Sequence, residues 1–153
     1  MNAQELFSSI LKSAISEVRA KPIPVFTFAL YHDHESGAVS VCIDTEENSN
    51  RVILEINKYN MGHFIKEISS GNLQSASLWQ ANIGRNLSLG DFKLVNVARA
   101  DLGSIKIDEQ FYIELVKSLV ANQQEISVLS PNPEKLIFAC SGANDEVEYV
   151  WSL

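Results

Sequence analysis

The residues best suited to chemistry stand together at positions 32–35 of this 153-residue chain, which spell His-Asp-His-Glu. His32 and His34 would project to one side of an extended chain, because side chains alternate along a strand. Three carboxylates are candidates to complete a metal site with them: Asp33, Glu35 and Asp44. The spacing matches no specific metal-binding motif. Aspartate, serine and glycine also favour turns, so we interpret 32–37 as a solvated turn and assign it no metal.

Two groups of carboxylates are candidates for contact with a partner. They are Asp44, Glu46 and Glu47 after one apolar segment, and Asp145, Glu146 and Glu148 before another. Such carboxylates can act as an acid and base pair or hold a cation. The first group also suits a helix N-terminus, where the helix dipole favours negative charge. The two groups would share one edge if the segments that carry them belong to one sheet.

Four apolar segments of strand length position these residues. Segments 25–31 and 38–44 flank a short polar stretch with one glycine, which predicts an antiparallel hairpin. The first is apolar on both faces and predicts a central strand, whereas the second alternates and predicts a half-buried one. Segments 135–141 and 146–152 surround Gly-Ala-Asn-Asp and predict a second hairpin.

Helical periodicity occupies three further segments. Apolar residues recur every three or four positions over 3–20, and prolines follow at 22 and 24. A helix is favoured from a cap at Thr45, Asn48 or Ser49 to about residue 69, broken or unbroken near 60–62, although 49–60 also fits a strand. Asp108 is a suitable N-cap for a helix ending near Gln123.

These elements predict one α+β domain over residues 1–153. Its sheet is expected to be mainly antiparallel, with about four strands built from two hairpins, and about three helices are expected to pack on it. Residues 72–91 are expected to be irregular and 92–99 irregular with a possible strand, so the sequence does not determine the structure of 72–105.

Composition narrows the classes of function. The formal net charge is -7, and the 12 basic residues are scattered, which disfavours binding to nucleic acid or to an anionic membrane. The N-terminus shows no signal peptide, so we expect a cytoplasmic protein. Cys42 and Cys140 lie in apolar segments and are expected to be buried free thiols, with a disulfide between neighbouring strands as the alternative. No phosphate loop, dinucleotide fingerprint or nucleophile elbow is present, so no cofactor is assigned.

Short motifs give the chain a resemblance. Residues 26–31 (Phe-Thr-Phe-Ala-Leu-Tyr), residues 44–47 (Asp-Thr-Glu-Glu), a tryptophan in the middle and a last strand ending in Trp151-Ser152 resemble an uncharacterised bacterial family known as a domain of unknown function. The resemblance spans most of the chain and implies no activity and no catalytic residues. In size, acidity and α+β content the chain is also similar to bacterial immunity proteins of the SUKH type, which bind and neutralise toxins.

Three functions are consistent with these features. The first is a non-enzymatic module whose acidic surface binds a protein partner, in an immunity-like role a basic toxin. The second is a small metal-dependent hydrolase that uses His32, His34 and the nearby carboxylates. The third is a housekeeping domain whose role and partner are unknown. A protein-binding role is favoured over an enzymatic one because no catalytic constellation is present.

Overall fold

The chain forms an α+β structure around one five-stranded sheet in a computed structural model that describes all 153 residues. The helices are α1 (Ala3–Ala20), α2 (Glu46–Ser69), α3 (Leu73–Ala76) and α4 (Glu109–Ser127). The strands are β1 (Thr27–Asp33), β2 (Ala38–Asp44), β3 (Leu94–Asp101), β4 (Ile137–Cys140) and β5 (Tyr149–Ser152). The predicted α+β class is therefore confirmed.

The sheet differs in detail from the expected four antiparallel strands. Its order is β3-β2-β1-β4-β5, and β1 is the central strand, as predicted. Both predicted hairpins form, β1 with β2 and β4 with β5. They join through a parallel pairing of β1 with β4, in which Thr27 lies opposite Ile137. The sheet is mixed because β4 runs parallel to β1. Parallel strands need a crossover connection, and α4 provides it between β3 and β4.

The segment expected to be irregular supplies the fifth strand. Residues of β3 pair antiparallel with β2, with a register shift between Val41 and Ile43. Asn96 in β3 has a φ of 55°, in the left-handed region. This irregularity accounts for the weak strand pattern of 92–99, because a bulge interrupts the alternation of inward and outward side chains.

Local capping explains where the long helices begin. Asn2 and Glu5 form a capping box at α1, and the side chain of Asp108 accepts a hydrogen bond from the Phe111 N–H at 3.0 Å. Thr45 caps α2 in the same way, and α2 continues unbroken through 60–62, so the strand alternative for 49–60 is not adopted. None of these helices combines the length and the apolar character needed to cross a membrane.

The main core lies between one face of the sheet and the helices α1 and α4. Twenty-one buried residues form it, including Leu11 of α1, Leu115 of α4 and Phe138 of β4. Phe7 meets Phe111 edge to face, with ring centroids 5.3 Å apart. The expected three-helix cover is thus supplied by two helices, and α2 packs elsewhere.

The other face of the sheet is covered by loops instead of a helix. A small cluster there consists of Ala29, Tyr31, Cys42, Phe92 and Ala139, with Leu89 and Val147 packed against it. Every residue of β2 is therefore buried, whereas its alternating sequence predicted a half-buried strand. Cys42 lies in this cluster and Cys140 lies in the main core, so both thiols are free and buried, as predicted.

Asp33 organises the turn between β1 and β2. Its Oδ1 accepts hydrogen bonds from the N–H groups of Glu35 and Ser36 at 3.1 and 3.2 Å, and its Oδ2 lies 3.1 Å from Nη2 of Arg99. Hydrogen bonds from Ser36 first, and then from Arg99 and the backbone, lower the pKa of Asp33 from 3.8 to about 2. The ionised carboxylate of Asp33 therefore stabilises the turn.

We expect Asp33→Asn to destabilise the fold by about 1–2 kcal/mol at neutral pH, because the charged acceptor is lost. A depressed pKa contributes stability above the unfolded value of 3.8 and loses it as the pH falls toward about 2. The difference between wild type and variant should accordingly shrink over that range. Urea unfolding at neutral pH and near pH 2.5 measures it, and a difference that stays constant with pH would contradict this account.

Candidate partner-binding site

Asp44, the first of the predicted partner-binding carboxylates, is a structural residue. It is fully buried at the end of β2. Its Oδ1 accepts hydrogen bonds from the N–H groups of Thr45 (3.0 Å) and Lys93 (3.1 Å) and from the Asn48 side chain (2.8 Å). Its Oδ2 is buried without a hydrogen-bond partner. Asp44 therefore joins β2 to α2 and presents no carboxylate to the surface.

Glu46 and Glu47 lie in the first turn of α2, the arrangement expected from the helix dipole. Glu46 is half-buried and lies 3.6 Å from Nζ of Lys135. Both residues line a groove of about 360 Å³ that also contains Arg51 and Lys93. The two bases balance the two acids, so this end of the sheet offers no net negative charge to a partner.

The second carboxylate group lies at the opposite end of the sheet. Asp44 pairs with Thr27, which in turn pairs with Ile137 at the start of β4. The loop 141–148 follows the other end of β4, which lies beside Leu30. The two groups therefore do not share an edge, because the parallel pairing of β1 and β4 separates them.

Glu148 and Tyr149 form one wall of a groove beside α4. The groove has a volume of about 760 Å³ and lies between the N-terminal half of α4 and the β4–β5 connection. We call it the α4 groove. Its lining includes carboxylates (Asp108, Glu109, Glu148), two tyrosines (Tyr112, Tyr149) and an apolar set (Ile107, Ile113, Val116). Lys117 is its one basic residue, and Nζ of Lys117 lies 3.8 Å from Glu114.

Glycine at position 142 makes room for Glu148. A Cβ atom at Gly142 would lie 1.5 Å from Oε2 of Glu148 and 2.9 Å from the ring of Tyr149. Hydrogen bonding to Glu148 and the charge of that carboxylate raise the pKa of Tyr149. The Glu148 carboxylate therefore packs against the backbone of Gly142 and beside the Tyr149 ring. Asp145 is exposed and Glu146 is half-buried in the same loop, and neither lines the α4 groove.

A buried histidine, His32, contacts one of the tyrosines that line the α4 groove. His32 is 5% exposed, and its Nδ1 lies 3.0 Å from the hydroxyl of Tyr112, which lines the groove. The His32 N–H donates to Oγ of Ser141 at 2.8 Å, and that hydroxyl donates to the Glu146 carbonyl at 2.6 Å. Burial first, and then the charge of His34, lower the pKa of His32. His32 is therefore a neutral positioning residue.

The histidine pair gathers no metal-ligand set. The His32 and His34 rings lie edge to face with centroids 4.9 Å apart, and Nε2 of His34 lies 3.1 Å from the Gly142 carbonyl. Nε2 of His32 is buried without a partner. Nowhere do three or more histidine, cysteine or acidic side chains come together in a geometry that could hold a metal ion.

Sequence reasoning identified Glu148 but missed the tyrosines and Glu109 that face it. Tyr112 belongs to the apolar stripe of α4, and a stripe position ordinarily indicates core. Tyr149 alternates with Trp151 in β5, a pattern that marks a strand face and carries no information about its neighbour. No protein-family model, curated protein or solved structure matches the chain, so the resemblance proposed above remains a prediction.

The buried neutral state of His32 predicts a pH-dependent stability. Its folded pKa lies below the ordinary value of 6.5, so the unfolded chain binds the proton more readily. Stability should therefore fall as the pH drops below about 6.5. His32→Gln should flatten this dependence below about pH 6.5, as measured by thermal unfolding. An NMR titration that gives His32 a pKa above 6.5 would refute the assignment.

Proposed function

We propose that this protein is a non-enzymatic binding module of the cytoplasm, and that the α4 groove receives a basic side chain of a protein partner. The observation that carries the proposal is the groove lining, in which Asp108, Glu109 and Glu148 surround a partly apolar cleft. In the immunity-like form of this role, the partner is a basic toxin that the module neutralises by occupying its surface.

The chemistry of the lining favours arginine or lysine as the inserted residue. Both have an apolar stem and a cationic head, so the stem can contact Ile113 and Val116 while the head reaches the carboxylates. The tyrosine rings add the possibility of a cation–π contact with the head group. A neutral or acidic side chain would leave Glu109 and Glu148 without a counter-charge, whereas Asp108 already lies 3.6 Å from Nζ of Lys106.

The charge of the whole molecule supports the same class of partner. A net charge of -7 attracts a basic protein over distances of about one Debye length, or roughly 8–10 Å at physiological salt. It repels nucleic acid and anionic lipid. The two alternative functions have less support. A metal-dependent hydrolase would need further ligands close to His32 and His34, and no such cluster is present. No particular feature of the structure points to a housekeeping role.

The proposal predicts that binding depends on two glutamates at the groove. Glu109→Gln with Glu148→Gln should weaken binding to the captured basic partner at least tenfold and reduce its salt dependence, because the local counter-charges are removed. The matched control is Glu35→Gln with Glu47→Gln, two exposed glutamates outside the α4 groove. This pair removes the same number of negative charges as the groove variant. Surface plasmon resonance across a salt series, with a partner first captured from host extract, measures both.

A third variant tests position independently of charge. Gly142→Ala keeps every carboxylate but moves Glu148 from its place, since the added Cβ would overlap Oε2. It should weaken binding less than the double glutamine variant does and leave the salt dependence largely intact. Equal loss in the control pair would show that only net charge matters, and full binding by all three variants would exclude the α4 groove as the site.

A further inference from the structure

Most of helix α2 extends beyond the body of the protein. The helix has 24 residues, and its buried ones are Asn48, Ser49 and Val52 in the first two turns. Beyond them it contacts mainly α3 and the turn Ser77–Trp79 that follows. We call residues 51–83 the arm.

One side of α2 is covered by the returning chain of the arm. The His63 ring stacks on Trp79 with centroids 4.3 Å apart. Asn57 exchanges two hydrogen bonds with the backbone of Asn82, at 3.0 and 2.8 Å. The arm is therefore a packed unit with a defined inner side.

The outer side of α2 carries an exposed apolar stripe, and Met61 and Phe64 border the groove between α2 and the returning chain at Trp79. Leu54, Met61 and Ile68 recur every seven residues, and they are 69%, 56% and 43% exposed. Phe64 and Ile65 flank them and are also exposed. At 100° per residue Leu54, Met61, Ile65 and Ile68 share one face of the helix, opposite Val52 and His63, whereas Phe64 lies on the flank of the inner residue Asn57. The stripe is continuous and is large for a surface that faces only water.

We propose that the stripe binds the same stripe of a second copy, with the two α2 helices antiparallel about a twofold axis at Met61. In that arrangement Met61 faces its symmetry mate and Leu54 faces Ile68 of the second copy. A seven-residue apolar repeat suits helix pairing of this kind. A twofold contact is self-complementary, so one patch suffices for both copies.

The charges that flank the stripe favour the antiparallel direction. Glu55, which pairs with Arg51 of its own helix at 2.9 Å, lies level with Lys66 of the second copy on the facing flank, and the two have opposite charge. Arg51 lies beside the C-terminal end of the other α2, where helix carbonyls carry partial negative charge. A parallel pairing would instead set Lys58 against Lys58 and Glu55 against Glu55, which is unfavourable.

The distribution of charge between arm and body favours the same partner. The arm carries three basic and two acidic side chains, while the rest of the chain carries nine basic and seventeen acidic ones. Two acidic bodies repel, but antiparallel pairing places them at opposite ends of helices about 36 Å long, well beyond the screening length. The weakly basic arm does not attract the basic partner proposed for the α4 groove, so the two surfaces have different occupants.

The size of the stripe sets the expected strength. It presents on the order of 500 Å² of apolar surface per copy, less than the roughly 800 Å² per partner of a standard stable interface. A micromolar, concentration-dependent dimer follows. Sedimentation equilibrium from about 1 to 100 μM should show a monomer–dimer equilibrium in the wild type.

Met61→Lys should shift that dissociation constant upward at least thirtyfold, because two lysines would meet at the axis. Val128→Lys is the matched control, since Val128 is 81% exposed and lies outside the arm. Glu55→Lys should weaken the dimer and a further Lys66→Glu should restore it. A monomer at every concentration, or equal dimerisation by wild type and Met61→Lys, would overturn the proposal.

Single cysteines test the direction of pairing. The native Cys42 and Cys140 are buried and do not compete. Met61→Cys alone should form a disulfide-linked dimer under mild oxidation. Leu54→Cys and Ile68→Cys should cross-link when mixed but not separately. Cross-linking of Leu54→Cys with itself would show a parallel or different contact and would refute the antiparallel arrangement.

Discussion

The parallel pairing of β1 with β4 is the contact on which the rest of the structure depends. It joins two hairpins that would otherwise be separate ribbons, each too small to be stable alone. Its register also brings the turn after β1 against the loop after β4. There the His32 N–H donates to Ser141, and the Glu148 N–H donates to the Cys140 carbonyl at 3.0 Å. The wall of the α4 groove exists because these two chain segments leave the sheet side by side.

The opposite end of the same strand pair is closed by two charged groups, the half-buried Arg85 and the buried Asp44. Arg85 lies 3.6 Å from the centroid of the Phe26 ring, and its guanidinium donates to the backbone carbonyls of Phe26 (2.7 Å) and Lys135 (2.5 Å). Asp44 lies nearby with three hydrogen bonds to Oδ1. Buried charges are costly unless they are paired or hydrogen-bonded, so both groups are committed to structure. Negative charge is consequently free for binding at the other end, where Glu148 lies beside open space.

Local features of the sequence predicted the elements, and long-range contacts determined what the sequence could not. Asp108 was identifiable as a cap, and Thr45 as one of three candidates with Asn48 and Ser49, because a cap depends on residues three positions away. The parallel join of Thr27 with Ile137 links positions 110 residues apart, and no local pattern encodes it. The residues of the α4 groove show the same contrast between local features and long-range contacts. Glu148 was found as a charged residue near a turn, but Tyr112 acquires its role only when α4 crosses beside the second hairpin.

The two proposed surfaces are compatible because they begin at opposite ends of the sheet. The arm leaves from the end that holds Asp44, while the α4 groove lies at the end that holds Glu148. Pairing through Met61 would cover neither Tyr112 nor Tyr149, so each dimer would present two open grooves. A partner with two basic sites could then bind both, and its second contact would form at a high effective concentration. Weak self-association would in this way increase the apparent affinity of a groove whose single contact is modest.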